Sequence, residues 1–196
     1  MRILSNQRQV IDDIRIITFQ SYKDERGSFA EIWTCELEEC INEKLVQLNE
    51  STLTPQSVRG LHSQYHPKMG KLVRCIEGEV YDYAIDIRKE SATLGKALII
   101  KLCHSNEWLW IPDGFAHAVY NVSNQTGKIQ YFCSSKYNEP CNIAIYPFSD
   151  GIDYSLCDGN YLKDFEKLKN NPITTEKDKN APLFMSRSAN CEFKPY

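Results

Sequence analysis

Eight cysteines are spread along this chain, yet no two form a Cys-x-x-Cys pair, which removes the usual signature of a zinc ribbon or dithiol redox centre. Long apolar runs are missing too. The longest purely aliphatic stretch is Ala97-Leu98-Ile99-Ile100, far short of the roughly 20 residues a membrane-spanning helix needs. The opening residues, Met1-Arg2-Ile3-Leu4-Ser5-Asn6-Gln7-Arg8, lack the apolar core of a signal peptide. A cytoplasmic protein with reduced thiols is therefore expected, with no membrane partner. Basic charge is not in excess: the formal net charge is −3, which argues against nucleic acid as a partner. Any anion must be met by a few placed cations.

What remains is ordinary globular composition, 42% hydrophobic and 25% charged over 196 residues. That is enough chain for one domain that buries about 70% of its unfolded surface. Short strands are expected at 72–76, 80–87, 97–102, 108–111, 118–122, 129–134 and 142–146, separated by turn residues at the spacing of a β-sandwich or jelly roll. Within 80–87, Tyr81, Tyr83, Ile85 and Ile87 share one face, while Asp82 and Asp86 lie on the other. Helical patterning is confined to 36–48 and 161–169, where Leu162, Phe165 and Leu168 form one stripe. The stretch 170–182 reads as a polar loop lying over the barrel. The expected organisation is a single domain: a strand arm at 1–44, a barrel core at about 45–150 and a helical or loop segment at 151–196.

Two stretches concentrate the chemistry. Val58-Arg59-Gly60-Leu61-His62, followed by Lys71-Leu72-Val73-Arg74, and later Pro112-Asp113-Gly114-Phe115-Ala116-His117, are expected to place two histidines, two arginines and a lysine around one apolar-walled cavity. Pro112-x-Gly114-x-x-His117-x-x-x-Asn121 resembles the second motif of the cupin barrel. A metal-binding cupin also needs a first motif of His-x-His and a glutamate. Here that stretch reads His62-Ser63-Gln64, with Lys71 further along. An ammonium group ligates no metal and too few good ligands remain, since His66, followed by Pro67, belongs to a turn. No metal and no cofactor is expected.

The remaining group is His62, Lys71, His117 and Arg59, with Tyr131 and Tyr137 six residues apart and so on one side of an unbroken strand. Taken singly, a tyrosine in a β-rich protein is usually packing and a lysine usually solvated. Together they suit inversion at a carbon beside a ketone. That reaction needs a base on one face, a proton donor on the other and positive charge at the developing enolate oxygen. Histidine can take the proton, tyrosine can give one, and lysine can hold the enolate.

At this point the chain resembles the dTDP-4-dehydrorhamnose 3,5-epimerase family. The resemblance rests on Asp24-Glu25-Arg26-Gly27-Ser28-Phe29-Ala30-Glu31, Gln47-Leu48-Asn49, Arg59-Gly60-Leu61-His62, Lys71-Leu72-Val73-Arg74, Gly78-Glu79-Val80-Tyr81-Asp82, Asp86-Ile87-Arg88, Ser91-Ala92-Thr93-Leu94-Gly95, the 112–117 turn and Glu176-Lys177-Asp178. It implies a mainly β, cupin-type jelly roll working without a metal as a homodimer, on a nucleotide-diphosphate 4-keto sugar destined for surface polysaccharide. It further implies His62 as base oriented by Asp178, Tyr131 as acid, and Lys71 and His117 as substrate and enolate contacts. Arg59, Gln47 and Asn49 would contact the sugar nucleotide, with Tyr137 near the nucleotide and Lys177 beside Asp178. Arg26 and Glu31 would help bind the nucleotide, from the partner subunit. Departures at Ser63, Ala92, Ala118 and 146–150 leave the nucleotide open between dTDP, CDP and GDP. Single-site epimerisation of a dideoxyhexose or heptose, 3,4-ketoisomerisation and sugar-nucleotide binding without turnover are the competing readings.

Overall fold

The computed structural model describes residues 1–11, 13–103 and 106–184. Two antiparallel sheets face one another. The first runs in the order β1 (Ile3–Arg8), β2 (Arg15–Phe19), β10 (Glu107–Ile111), β7 (Lys71–Glu77), β12 (Gly127–Cys133), β5 (Gln47–Leu53). The second runs β13 (Asn142–Ala144), β6 (Val58–Gln64), β11 (Phe115–Tyr120), β8 (Val80–Asp86), β9 (Ala97–Leu102). A small hairpin, β3 (Tyr22–Asp24) and β4 (Gly27–Phe29), stands apart with all six residues exposed. This is the jelly roll the strand spacing predicts.

Period-two alternation divides the apolar residues into three layers. Between the sheets, Leu53, Val73, Leu109, Ile111 and Ile129 meet Val80, Ala84, Leu98, Phe115 and Val119. On the outer face of the five-stranded sheet, Tyr81, Tyr83, Ile85 and Ile87 meet Phe165 and Leu168 of α2 (Gly159–Leu168). The apolar stripe of β8 thus faces the helix, and Asp82 points into the barrel. On the outer face of the six-stranded sheet, Ile17, Phe19, Leu72, Trp108 and Trp110 are covered by Leu37 and Ile41 of α1 (Cys35–Ile41). Each such aliphatic side chain contributes about 1.5–3 kcal/mol when buried.

Several expectations need correction. The helix expected at 36–48 ends at Ile41, because Asn42 takes a left-handed conformation (φ 57°) and its N–H closes on the Glu38 and Glu39 carbonyls. Residues 47–53 instead alternate as β5, an edge strand. β11 starts at Phe115 rather than 118, directly after Gly114 (φ +83°). It stops at Tyr120 because the Asn121 side chain turns the chain, donating to the Leu53 and Gln125 carbonyls. β13 ends at Ala144, and the 170–182 stretch carries a short helix, α3 (Glu176–Lys179). β2 pairs with β10 of its own chain, so the N-terminal arm extends the barrel's own sheet.

Arg74 is the largest change. Strand parity sends it away from Lys71, to the outer face, where its guanidinium lies 5.3 Å from the Trp108 ring and 6.0 Å from the Phe19 ring. It is not a cavity residue.

Candidate active site

The cleft is built by one irregularity. His62 and Arg59 are three residues apart, and in a regular strand they would face opposite sides. Both point into the barrel because β6 carries a bulge: His117 pairs with His62 and Val119 with Arg59, leaving two residues, Gly60 and Leu61, opposite Ala118 alone. Gly60 is held at φ +111°, and a Cβ there would meet the His117 carbonyl oxygen at 2.5 Å and Ala118 Cα at 2.8 Å. Only glycine fits.

Asp178 reaches this strand from α3. Its Oδ1 lies 2.7 Å from His62 Nε2, and the Gly60 N–H approaches Oδ2 at 3.5 Å. Thr175 caps the helix by accepting from the Asp178 N–H. A carboxylate only accepts, so Nε2 carries a proton toward Asp178, and in the neutral form of the ring Nδ1 holds the lone pair. Burial pushes the Asp178 carboxyl up, but the His62 hydrogen bond and charge, with the Gly60 and Thr175 contacts, hold it below its ordinary value.

The opposite wall comes from the six-stranded sheet. Register places Lys71 beside Cys133 and Gln47, and Tyr131 beside Val73 and Asn49, all on the inner face. Lys71 Nζ crosses between the sheets to His117 Nε2 at 2.7 Å, and His117 Nδ1 meets the Asp82 carboxylate at 3.2 and 3.3 Å. Burial lowers the pKa of Lys71 and of His117; the Lys71 charge lowers His117 further, against the pull of Asp82. Burial also raises the Tyr131 phenol, and nearby Arg59 partly offsets this.

Two connected lobes share His62, Lys71 and Tyr131. One, of about 310 Å³, is rimmed by Gln47, Asn49, Gln64, Met69, Tyr137 and Asn142. The other, of about 280 Å³, is rimmed by Ser51, Arg59, His117, Thr175, Lys177 and Asp178. A larger groove of about 450 Å³ lies elsewhere, between α2 and Tyr81, but no histidine or paired base faces it.

Ten of the twelve expected site residues therefore line this cleft, Arg59, His117, Lys177 and Asp178 in its second lobe. Tyr137 does so for a different reason than strand parity, since β12 ends at Cys133. Gln64 holds the following loop by donating to the Pro67 and Lys136 carbonyls and accepting from the Asn138 N–H, while the Tyr137 N–H donates to Gln47. Arg26 and Glu31 are not brought in. Arg26, 85% exposed at its side chain, pairs with Asp24 in the β3–β4 hairpin, and Glu31 pairs with the Met1 amino group. Asp82 was missed as a site residue; its signal was a carboxylate in mid-strand among residues that are all buried. Among the described residues, no three His, Cys, Asp or Glu side chains converge as a metal would require. None of the described helices is long and apolar enough to cross a membrane.

A jelly roll with a histidine–carboxylate pair, an amine and a phenol in one cleft has the fold of the cupin-like epimerases, a class of isomerases. Comparison narrows the class. The family profile for dTDP-4-dehydrorhamnose 3,5-epimerase matches residues 8–186. The enzyme of that name from Shigella flexneri is 42% identical over 135 residues, 61% of this chain and 75% of that protein. The one from Methanothermobacter thermautotrophicus is 35% identical over 176 residues, 87% and 89% of the two chains. A solved dTDP-6-deoxy-D-glucose-3,5-epimerase from Legionella pneumophila, in complex with dTDP-4-keto-L-rhamnose, superposes with a TM-score of 0.77 at 31% identity, covering 91% of this chain and 92% of that one. The chain belongs to the dTDP-4-dehydrorhamnose 3,5-epimerase family, whose members are isomerases of nucleotide-linked sugars.

Proposed function

We propose that this protein inverts C5 and C3 of a dTDP-linked 4-keto-6-deoxyhexose, as a step toward surface polysaccharide in the cytoplasm. The observation that carries the reading is the 2.7 Å contact between His62 Nε2 and Asp178, which leaves Nδ1 free to take a proton. His62 removes the proton α to the ketone, and the electron pair moves onto the keto oxygen. The Lys71 ammonium stabilises that enolate oxygen. Tyr131, on the facing sheet, returns a proton to the opposite face of the carbon, and solvent restores both side chains. Gln47, Asn49, Arg59, Tyr137 and Lys177 hold the sugar nucleotide, with the base toward the exposed Tyr137 ring.

We also propose a homodimer. Trp33 packs on Phe132, whose register neighbour on β5 is Leu48, and Trp33 and Leu48 are 43% and 53% exposed. An apolar patch beside an open edge strand favours association with a second copy, which would supply the missing Arg26 and Glu31.

Turnover of dTDP-4-keto-6-deoxyglucose in D₂O, followed by NMR, tests the chemistry. Deuterium entering at both C3 and C5 with inversion supports it; entry at one carbon reduces the enzyme to a single-site epimerase, and product without deuterium ends the reading. Light scattering of the purified protein should give twice the chain mass.

A further inference from the structure

Lys71 faces an unusual set of neighbours: His117 from β11, Asp82 from β8, Cys133 and Tyr131 from β12, and His62 from β6. Among the described residues its direct partner is an imidazole, which is not the anion a buried ammonium normally takes. The chain of contacts sets the protons. Asp82 is fully buried, and it accepts from His117 Nδ1–H. His117 Nε2 then carries only a lone pair, and it accepts from the Lys71 ammonium. The hydrogen bond between the two nitrogens runs from the amine to Nε2, because Nε2 has no proton to give. Asp82 sits diagonally across from His117, which pairs with Ala84.

We propose that Asp82 is a positioning residue that acts through His117, fixing the imidazole as the Nδ1–H tautomer so that Lys71 is held charged and aimed across the cleft. This rests on the reading of Lys71 as the enolate-stabilising group. Burial works against the Lys71 charge, and the Asp82 carboxylate is one of the groups opposing that effect. With one N–H bound to His117, Lys71 has two left for the substrate oxygen. Neither Asp82 nor His117 needs to touch the reacting carbon for the device to work.

Two measurements test it. In the wild-type protein, ¹⁵N NMR of the histidine rings near neutral pH should give His117 as the Nδ1–H tautomer with an unprotonated Nε2. An Nε2–H or doubly protonated ring overturns the proposal without any variant being made. In Asp82→Asn, the amide oxygen still accepts from Nδ1–H while the charge is gone. kcat should fall about 10- to 100-fold with KM within about threefold of wild type. The alkaline limb of kcat/KM should move to lower pH by at least about half a unit, because Lys71 loses its proton more easily. An unchanged limb overturns the proposal even if activity drops, since a purely structural role would lower activity without moving it. The two readings separate cleanly. If wild-type enzyme incorporates no deuterium, the epimerase reading fails; if it does and Asp82→Asn behaves like wild type, only the relay fails.

Discussion

His62 and Asp178 lie 116 positions apart in the chain and 2.7 Å apart in space, so the pair exists only in the folded protein. Asp178→Asn removes the charge and leaves a side chain of the same shape. kcat should fall about 10²- to 10⁴-fold, and the melting temperature near pH 7 should drop by a few degrees as the stabilising carboxylate charge is lost, measured by steady-state assay and calorimetry. Tyr131→Phe should behave differently. Proton removal by His62 survives, so deuterium still exchanges into the substrate, while inverted product is lost; NMR in D₂O distinguishes the two. The pH dependence of stability has a definite sign. His117 and Asp178 both have folded pKa values below their ordinary ones, so each stabilises the fold above its unfolded value. For His117 that contribution fades as pH falls below about 6.5, and for Asp178 below about 4. Urea titrations from about pH 7.5 to about pH 3 should give a falling midpoint, and Asp178→Asn should flatten only the part below about pH 4. At this scale the sequence was largely readable, because motif positions name the chemistry. Asp82 was not, because alternation gives a face and not a partner.

Elements carry the site only through their irregularities. The bulge in β6 lets Arg59 and His62 share a wall, and Gly60 permits it. Gly60→Ala should cost at least about 1–3 kcal/mol by chemical denaturation, because both close contacts are backbone atoms that cannot swing away. Gln64 does comparable work for the loop bearing Tyr137. Gln64→Ala should raise KM about tenfold while kcat changes little, since it loosens the rim without touching the reacting groups; steady-state kinetics with the sugar nucleotide checks this. Strand existence was legible from apolar runs and turn residues. Element ends were not: Asn42 and Asn121 stop their elements by side-chain or left-handed geometry that composition does not encode. Tyr137 came into the cleft by a loop contact that no periodicity predicts.

On the scale of the molecule, three apolar layers explain why so little of the barrel interior is free for chemistry. The middle layer is mostly aliphatic, and the polar cleft opens in the same inter-sheet space, with Val119 and Ile129 shared between them. Strand and turn spacing indicated a jelly roll, and the sheets agree. It did not indicate which face of each strand turns inward, and that is why Arg74 was expected in the cavity and lies outside it. The sheet order also sets the wall assignment. His62, His117 and Asp82 belong to the five-stranded sheet, and Lys71 and Tyr131 to the six-stranded one.

The base and the acid are thus riveted to two different plates, clamped across the cleft by the Lys71–His117 contact and by the Arg59 guanidinium, which donates to the Thr52 carbonyl of β5. A sliding of one plate by about 1 Å would cost roughly 100-fold in rate while leaving every ladder of strands intact. On slow heating, turnover measured at temperature should fade several degrees before the far-ultraviolet circular dichroism of the strands begins to change. Catalysis in this protein would then serve as its most sensitive strain gauge.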